Sequence, residues 1–529
     1  MAVRGVTGFR LLIAGLTVLC ALPAGASGAP PRLELPPLHA EPDRRAGGRI
    51  VDARGREVLL RGVNVNALAE YWKGTRFPTV FRLARRDPQR MAGIGWNTVR
   101  LLLSWSRVEP RPGRYDRRYL DRVDAVVRRL SRYGIYTIID LHQDAWGPSL
   151  VGSAGSCAAP TLPALGWDGA PAWATFDDGA ARCYTDVREF SPAVRAAWGA
   201  FFEDRPGPGD TGIQTRYVRM LGHVARRFAR SRTVAGFDVV NEPNAIGDSE
   251  QAALARLYAR ARAAIRRGER AGRGRRHLVL FEPSVIWSAV GSGPPPDFRR
   301  DRDVVYAPHV YTGAFNGGPI GREAFAVARQ EAAMFGGAPV LSGEWGADPD
   351  RARQPGGGYF GRHQAFQDSF RFGATLWTWR ESCGDPHKVG DLRAGRLPEV
   401  WGAFEVDCQT NRVRGVRRAL VGALTRGYVR AAPGRLRSTR WTSRGTLVAS
   451  GVARRADGSL LAFVPRYRPG RSGGRDQYLP SACRTVRQCP GVRSSGLAGL
   501  RTVRAPGGGR YLKARPTGGT WRIRVRSRP

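Results

Sequence analysis

The sequence of 529 residues has almost no lysine, which affects how its positive charge is interpreted. Lysine occurs only at Lys73, Lys388 and Lys513, so arginine, spread along the whole chain, carries nearly all of the net charge of +41. A nucleic-acid-binding domain concentrates its cations in one patch or stripe. The dispersed arginine therefore indicates a compositional bias and argues against a specific nucleic-acid partner. Weak, salt-dependent binding to anionic surfaces is still expected.

Motifs for metals and dinucleotides are missing as well. The sequence contains no CxxC pair and no cluster of cysteine and histidine, so nothing in its spacing predicts a metal site. No GxGxxG opens a helix after the first predicted strand, which argues against a dinucleotide-binding domain. We therefore expect neither a metal nor another cofactor.

The amino terminus has the pattern of a secretory signal peptide. Two arginines precede an apolar run at residues 11–22, and small residues at 24–29 offer cleavage sites. The run is too short to span a bilayer comfortably. Cys20 follows Leu19 rather than a small residue, which favours export over lipid anchoring. Residues 1–29 are thus predicted to be a signal peptide that is removed on export. The mature protein is expected to be a secreted monomer without a transmembrane segment.

Six cysteines remain after the predicted signal peptide. An even number in an exported protein predicts a set of disulfides. Several pairings are possible, and proximity along the chain favours Cys157–Cys183, Cys383–Cys408 and Cys483–Cys489.

The central part of the chain alternates between short apolar runs and longer segments with helical periodicity. The runs typical of strands are 58–65, 98–103, 136–141, 236–240, 277–281, 304–309, 339–342 and 374–379. Helical periodicity is clearest at 117–132, 215–230, 250–266, 322–335 and 362–370. This alternation predicts an α/β fold, a closed (β/α)₈ TIM barrel, rather than an open sheet. We assign the barrel to residues 49–429, after an extended linker at 30–48.

Two regions depart from this alternation. Residues 143–192 form a long insertion after the third strand, on the catalytic face of a barrel, and are expected to form a wall of the cleft. Residues 430–529 contain short strand-like runs separated by turns, which predicts a small antiparallel β-sandwich. A structural buttress is favoured over a carbohydrate- or membrane-binding module, because no clear aromatic strip is present.

Polar side chains stand at the ends of the predicted barrel strands, where barrel enzymes carry their catalytic groups. In chain order they are Arg100, His142, Gln143, Asp144, Asn241, Glu242, Glu282, His309, Tyr311, Glu344, Trp345 and Trp377. Two carboxyl groups facing each other across the barrel mouth suit glycoside hydrolysis. One protonates the leaving oxygen, and the other attacks the anomeric carbon.

The other residues can be assigned to this pair by their chemistry. Arg100 and Tyr311 are expected to hold Glu344 ionised. His309 is expected to orient Glu242. Asn241 can bind the sugar 2-hydroxyl, and Trp377 can stack on the apolar face of the sugar.

The set resembles the eight-residue signature of glycoside hydrolase family five, in clan A. The matching residues are Arg100, His142, Asn241, Glu242, His309, Tyr311, Glu344 and Trp377. They follow the family's order over residues 49–425. The resemblance implies a retaining mechanism on a barrel, with Glu242 as acid/base and Glu344 as nucleophile.

A narrower resemblance is to endoglycoceramidases and related glycolipid hydrolases, which cut the bond between a sugar and ceramide. It rests on residues 140–144 (DLHQD), residues 281–283 (FEP) and a β-domain after the barrel. It implies that Gln143 and Asp144 line the first sugar site. Those enzymes typically carry a lysine soon after the first strand, whereas the first lysine here is Lys73. This departure leaves the glycolipid substrate open.

Three functions remain to be compared. The favoured one is a secreted retaining endo-β-glycosidase that acts on glycolipids. The alternative is an endo-β-1,4-glucanase or mannanase that acts on polysaccharide, and a remote one is a noncatalytic carbohydrate-binding surface protein. Among the site residues, Glu282 could equally form a structural salt bridge, and Trp345 could simply pack in the core.

Overall fold

The computed structural model describes residues 33–74, 76–152, 157–163, 166, 168–185, 187–291, 302–388, 396–467, 481–482 and 489–527. The predicted signal peptide and Cys483 lie outside these residues. Within these ranges, no helix combines the length and the apolar character needed to cross a membrane.

Strands and helices alternate through the first four hundred residues, and strands dominate after them. The strands are β1 (Leu38–Glu41), β2 (Arg49–Asp52), β3 (Arg56–Val58), β4 (Arg61–Val65), β5 (Thr98–Ser104), β6 (Tyr136–His142), β7 (Leu162–Pro163), β8 (Cys183–Tyr184), β9 (Val234–Asp238), β10 (Leu278–Phe281), β11 (Val304–Tyr306), β12 (Leu341–Trp345), β13 (Gly373–Leu376), β14 (Phe404–Asp407), β15 (Arg412–Val416), β16 (Tyr428–Pro433), β17 (Arg435–Trp441), β18 (Thr446–Ala453), β19 (Leu460–Val464), β20 (Ser481–Ala482), β21 (Val492–Ser495), β22 (Leu497–Arg504), β23 (Arg510–Pro516) and β24 (Gly519–Arg526). The α-helices are α1 (Asp87–Ile94), α2 (Trp105–Val108), α3 (Arg117–Ser131), α4 (Pro192–Phe202), α5 (Ile213–Phe228), α6 (Asp248–Ala271), α7 (Ile286–Val290), α8 (Glu323–Met334), α9 (Gly358–Phe370) and α10 (Arg418–Leu424).

Eight parallel strands form a nearly closed barrel. They pair in the order β11-β10-β9-β6-β5-β4-β13-β12, and a bridge between Tyr306 and Val340 joins the two ends. The strands are buried along their length, as expected when helices cover the outside and side chains fill the inside. The predicted barrel is confirmed.

The start of the chain differs from the prediction. Residues 30–48 were expected to be a linker and residues 49–58 to lead into the barrel. Instead β1, β2 and β3 join β16, β19, β23, β22 and β20 in one eight-stranded sheet. Leu35, Leu38 and Ala40 are buried in the core of this sheet, and this short apolar pattern was obscured by the flanking proline and arginine. The barrel strands therefore begin at Arg61.

A smaller antiparallel sheet, β17-β18-β24-β21, packs against the large one. Its apolar residues share one buried cluster with the large sheet and with the amino-terminal ends of barrel strands, including Tyr136 and Leu278. Strands β16 and β19 are buried throughout, because the barrel covers one face of the large sheet and the small sheet covers the other. The antiparallel part thus closes the barrel at the end opposite to its mouth.

The junction between barrel and sheet can be tested at Gly95. Gly95 ends α1 with φ of 99°, and a Cβ there would lie 2.4 Å from the ring of Phe463. We expect Gly95→Ala to lower the free energy of unfolding by more than the roughly 1–2 kcal/mol of a left-handed alanine, because Phe463 must also shift. Gly179→Ala is the matched control, since Gly179 has φ of 71° and no atom within 4 Å of the added Cβ. Chemical denaturation measures the free energy of unfolding of both variants, and an equal loss in the two would contradict the close packing of Phe463 on Gly95.

Candidate active site

Arg100, in β5, organises the mouth of the barrel from below and is completely buried. Its guanidinium nitrogens lie 2.9 Å from oxygens of five side chains: Asp140, Asp238, Asn241, Glu282 and Glu344. Burial works against its charge, but the surrounding carboxylates outweigh burial and raise the pKa of Arg100. A buried charge is tolerated only when it is paired. This one cation therefore orients acidic groups from several strands at once.

Glu344, in β12, has both carboxylate oxygens hydrogen-bonded. Arg100 donates to Oε1 at 2.9 Å, and the hydroxyl of Tyr311 donates to Oε2 at 2.9 Å. Burial raises the pKa of Glu344, and the nearby Glu242 carboxylate acts in the same direction, while His309 and Arg100 oppose them. The structure thus brings both expected supporters to this carboxylate.

Glu242 lies in the loop after β9 and has φ of 39°. Such a backbone is costly for a residue other than glycine and persists only when its surroundings hold it. The side chain of Gln143 donates to the carbonyl oxygens of Asn241 (2.8 Å) and Glu242 (2.9 Å), and the amide of Glu242 donates to Glu282 (2.9 Å). His309 Nδ1 lies 2.8 Å from Glu242 Oε1. These contacts fix the loop and its carboxyl group.

The two glutamates lie close together. One carboxylate oxygen of Glu242, one of Glu344 and a ring nitrogen of His309 all lie within 4.8 Å of one another. Retaining glycosidases place their carboxyl groups about 5–5.5 Å apart, whereas inverting ones leave about 6.5–9.5 Å for a water. The arrangement fits direct attack by one carboxylate better than activation of a water between the two.

A second polar group lies beside Trp377. The Trp377 ring stacks on His142, with 5.6 Å between centroids and 12° between planes. His142 Nδ1 lies 2.7 Å from Asp140, and its Nε2 lies 3.4 Å from Asp144. An aromatic surface next to fixed hydrogen-bonding groups is suited to one face and the hydroxyls of a sugar.

Three predicted residues have supporting positions rather than open ones. Gln143 uses its amide on the backbone of the Glu242 loop, and Glu282 is buried between Arg100 and that same loop. Trp345 is buried, and its ring stacks on His363 at 4.3 Å. Trp345 therefore packs in the core, the alternative that the sequence left open.

Metal-ligating side chains form three clusters among the described residues: His142 with Asp144 and Asp168, Glu242 with His309 and Glu344, and Glu381 with Asp385 and His387. In each cluster a basic side chain already pairs with a carboxylate. These cations are Arg188, Arg100 and Lys388. The geometry thus favours ion pairing over a bound metal.

Two disulfides hold loops around the mouth. Cys157–Cys183 closes part of the insertion, and Cys383–Cys408 closes the segment after β13, with Cα distances of 5.6 and 5.4 Å. Both are pairs favoured by proximity in the sequence. Because Cys483 lies outside the described residues, the pair Cys483–Cys489 stays a prediction.

Sequence reasoning missed Arg188 and His387, which flank Asp144. Arg188 donates to Asp144 at 2.8 Å, and His387 Nε2 lies 3.8 Å from it; their side chains are 15% and 24% exposed. Asn244, just after Glu242, donates to the carbonyl of Glu189 at 2.6 Å and so ties the insertion to the Glu242 loop. None of the three residues lies in a periodic segment, and only Arg188 belongs to the insertion at 143–192, whose length was the available signal.

Comparison with known proteins yields one matching family. A family model described as Cellulase (glycosyl hydrolase family 5) matches residues 51–382. Endoglycoceramidase I of Rhodococcus hoagii (strain 103S) is 29% identical over 290 residues, which are 50% of this chain and 52% of that protein. An endoglycoceramidase of Cyanea nozakii is 24% identical over 299 residues, 49% and 54% of the two chains. The chain thus spans about half the length of the curated relatives it matches.

Solved structures match over a larger share. The crystal structure of an endogalactoceramidase has a TM-score of 0.77 and 34% identity, covering 93% of this chain and 100% of that one. Endo-glycoceramidase II from Rhodococcus sp. has a TM-score of 0.67 and 25% identity, covering 90% and 99%.

Arg188 provides a test of the predicted sugar contact at Asp144. Among the groups that lower the pKa of Asp144 against its burial, the Arg188 charge is the strongest, so Arg188 keeps Asp144 ionised and in place. We expect Arg188→Gln to raise KM for an aryl β-glycoside about tenfold, which corresponds to roughly 1.4 kcal/mol, with little change in kcat. Arg188→Lys should restore part of the affinity.

The control is Arg182→Gln, which removes an arginine of the same insertion that pairs with Asp177 at 2.6 Å. An equal rise of KM in both variants would assign the effect to folding of the insertion and not to Asp144.

Proposed function

The chain belongs to glycosyl hydrolase family 5, and on that premise we propose that it is a secreted retaining endo-β-glycosidase that releases the glycan of glycolipids. The observation that carries the proposal is the pair Glu242 and Glu344, with carboxylate oxygens within 4.8 Å of each other. Secretion is supported by the signal-like residues 1–29 and by the two disulfides, which persist in oxidising compartments.

The reaction proceeds in two displacements. Glu344 attacks the anomeric carbon while Glu242 protonates the leaving oxygen, and a covalent glycosyl-enzyme forms. Glu242 then takes a proton from water, which attacks the same carbon and frees Glu344. The hydrogen bonds from Arg100 and Tyr311 hold the nucleophile in line, and Asn241 is assigned to the sugar 2-hydroxyl.

The proposed reaction starts with Glu242 protonated and Glu344 ionised. Burial and the nearby Glu242 carboxylate both raise the pKa of Glu344. His309 contacts Glu242 and also lies 3.2 Å from Glu282. Burial opposes its charge, but the carboxylates of Glu282 and Glu344 raise the pKa of His309. A cationic His309 orients Glu242 and offsets negative charge in the mouth.

A lipid aglycone is favoured over a polysaccharide. Phe315 is 67% exposed, stacks on Trp401 at 5.9 Å and lies 5.2 Å from the ring of Tyr311, next to the nucleophile. An exposed aromatic surface of this kind is suited to contact with the hydrocarbon chain of a lipid aglycone. The similar proteins named endoglycoceramidase and endogalactoceramidase support the same choice. The family description as a cellulase supports the alternative, an endo-β-1,4-glucanase or mannanase.

The role proposed for the antiparallel sheets is structural. We regard them as a β-sandwich that buttresses the closed end of the barrel, since their core is continuous with the ends of the barrel strands. The protein is proposed to act as a monomer.

The substrate and the pair can be tested together. We expect release of glucose from glucosylceramide or of the intact oligosaccharide from a ganglioside, and no release from carboxymethylcellulose or mannan, measured by chromatography of labelled glycans. Glu344→Gln should lose all turnover because no nucleophile remains. Glu242→Gln should still be glycosylated by a dinitrophenyl glycoside, whose leaving group needs no proton.

Trapping with a 2-fluoro sugar should add one glycosyl mass to Glu344. Release from polysaccharide alone would favour the alternative, and unchanged turnover in Glu344→Gln would contradict the assignment of the nucleophile.

The acid side of the pH profile reports on Glu344. Attack needs the ionised carboxylate of Glu344, and burial raises the pKa of this group. The value of kcat/KM is therefore highest above that raised pKa and falls as the pH drops through it. We expect the acid limb above the value of about 4.3 for an ordinary glutamate. Tyr311→Phe removes a hydrogen bond to the ionised form and should move the limb to still higher pH. A wild-type limb at or below about 4.3 would contradict this account.

A further inference from the structure

The outer face of the small antiparallel sheet carries a group of arginines, which we call the arginine face: Arg440, Arg493, Arg522, Arg524 and Arg526. In β24 the arginines alternate with the buried residues Trp521, Ile523 and Val525. Since successive side chains of a strand point to opposite sides, Arg522, Arg524 and Arg526 all point away from the core.

The register of the sheet brings arginines of different strands together. Arg524 pairs directly with Arg493 of β21 and, on its other side, with Val448 of β18, which pairs with Arg440. Opposed side chains of neighbouring strands have Cβ atoms about 4.5–5.5 Å apart, and like charges in such a pair destabilise a sheet. The arrangement therefore has a cost in folding stability.

Among the described residues, no acidic side chain contacts these arginines. In the part of the chain that the structure describes, none of the five side chains forms a hydrogen bond or an ion pair with another protein group. Residues 430–529 contain only Asp457 and Asp476 as acidic residues. Neighbouring positions of the same face carry hydroxyls instead: Arg522 pairs with Ser450 and Ser495, and Ser438 shares a 2.7 Å hydrogen bond with Ser450.

Guanidinium and hydroxyl groups together are suited to phosphate oxygens. Three of the arginines and the serines line a shallow depression of about 450 Å³ on a face four strands wide. A broad, shallow face fits a planar array of anions better than a single polymer chain. We propose that the arginine face is a docking surface for the phosphate headgroups of an anionic lipid bilayer.

The face lies far from the mouth of the barrel. The small sheet packs on the large sheet, which closes the barrel at the end opposite to its mouth. A bilayer bound at the arginine face therefore leaves the mouth uncovered. The proposal does not depend on the proposed glycosidase activity.

The test compares vesicle binding of the full chain with that of the double variant Arg493→Gln/Arg524→Gln. We expect the wild type to co-sediment with phosphatidylcholine vesicles that contain phosphatidylglycerol, and not with phosphatidylcholine alone, and salt to weaken the binding. The variant should bind at least about tenfold more weakly, and its Tm should rise because an opposed pair of like charges is removed. Hydrolysis of a soluble aryl glycoside should be unchanged.

The matched control is Arg117→Gln/Arg118→Gln, which removes the same charge from the exposed start of α3. An equal loss of vesicle binding in both variants would overturn the proposal in favour of general net charge. Preference for soluble polyphosphate or heparin over the vesicles would overturn it in favour of an acidic polymer.

Discussion

A single buried cation under the barrel mouth is the constraint on which the site depends. Arg100 has no exposure to solvent, yet its nitrogens contact side chains that come from or follow β6, β9, β10 and β12. Breaking one partner of a buried pair leaves an uncompensated charge and typically costs about 3–5 kcal/mol. Glu344 and the residues that hold the Glu242 loop are thus oriented by one network, and the barrel strands supply the rigidity that the network needs.

Glu242 is held differently, by contacts from the loops. Glu242 adopts a left-handed backbone, and its loop is held by Gln143, Glu282 and His309. The insertion reaches the same loop through Asn244. The insertion therefore contributes to the site and does not only surround it, since it also supplies the arginine beside Asp144.

The barrel has a closed end, covered by the antiparallel sheets, and an open mouth at the opposite end. Apolar residues of the large sheet seal the closed end of the barrel, while chemistry-bearing side chains stand at the mouth. The chain pairs its first strands, β1 to β3, with strands that follow the barrel. The two ends of the polypeptide therefore stabilise the barrel together, and the sheet face remote from it is left for other contacts.

The sequence by itself predicted the barrel and the polar residues that meet at its mouth, Glu242 and Glu344 among them. Alternating strand and helix patterns are local, and catalytic groups at strand ends follow from the direction of parallel strands, so Arg100, Glu242, His309, Tyr311 and Glu344 could be identified by position. The tertiary structure alone decided what depends on distant contacts. Leu38 lies in a sheet with strands that follow residue 427. Trp345 packs in the core on His363, and Arg188 forms an ion pair with Asp144. These contacts join segments far apart in the chain and without periodic pattern, and no local preference encodes which side chains will meet there.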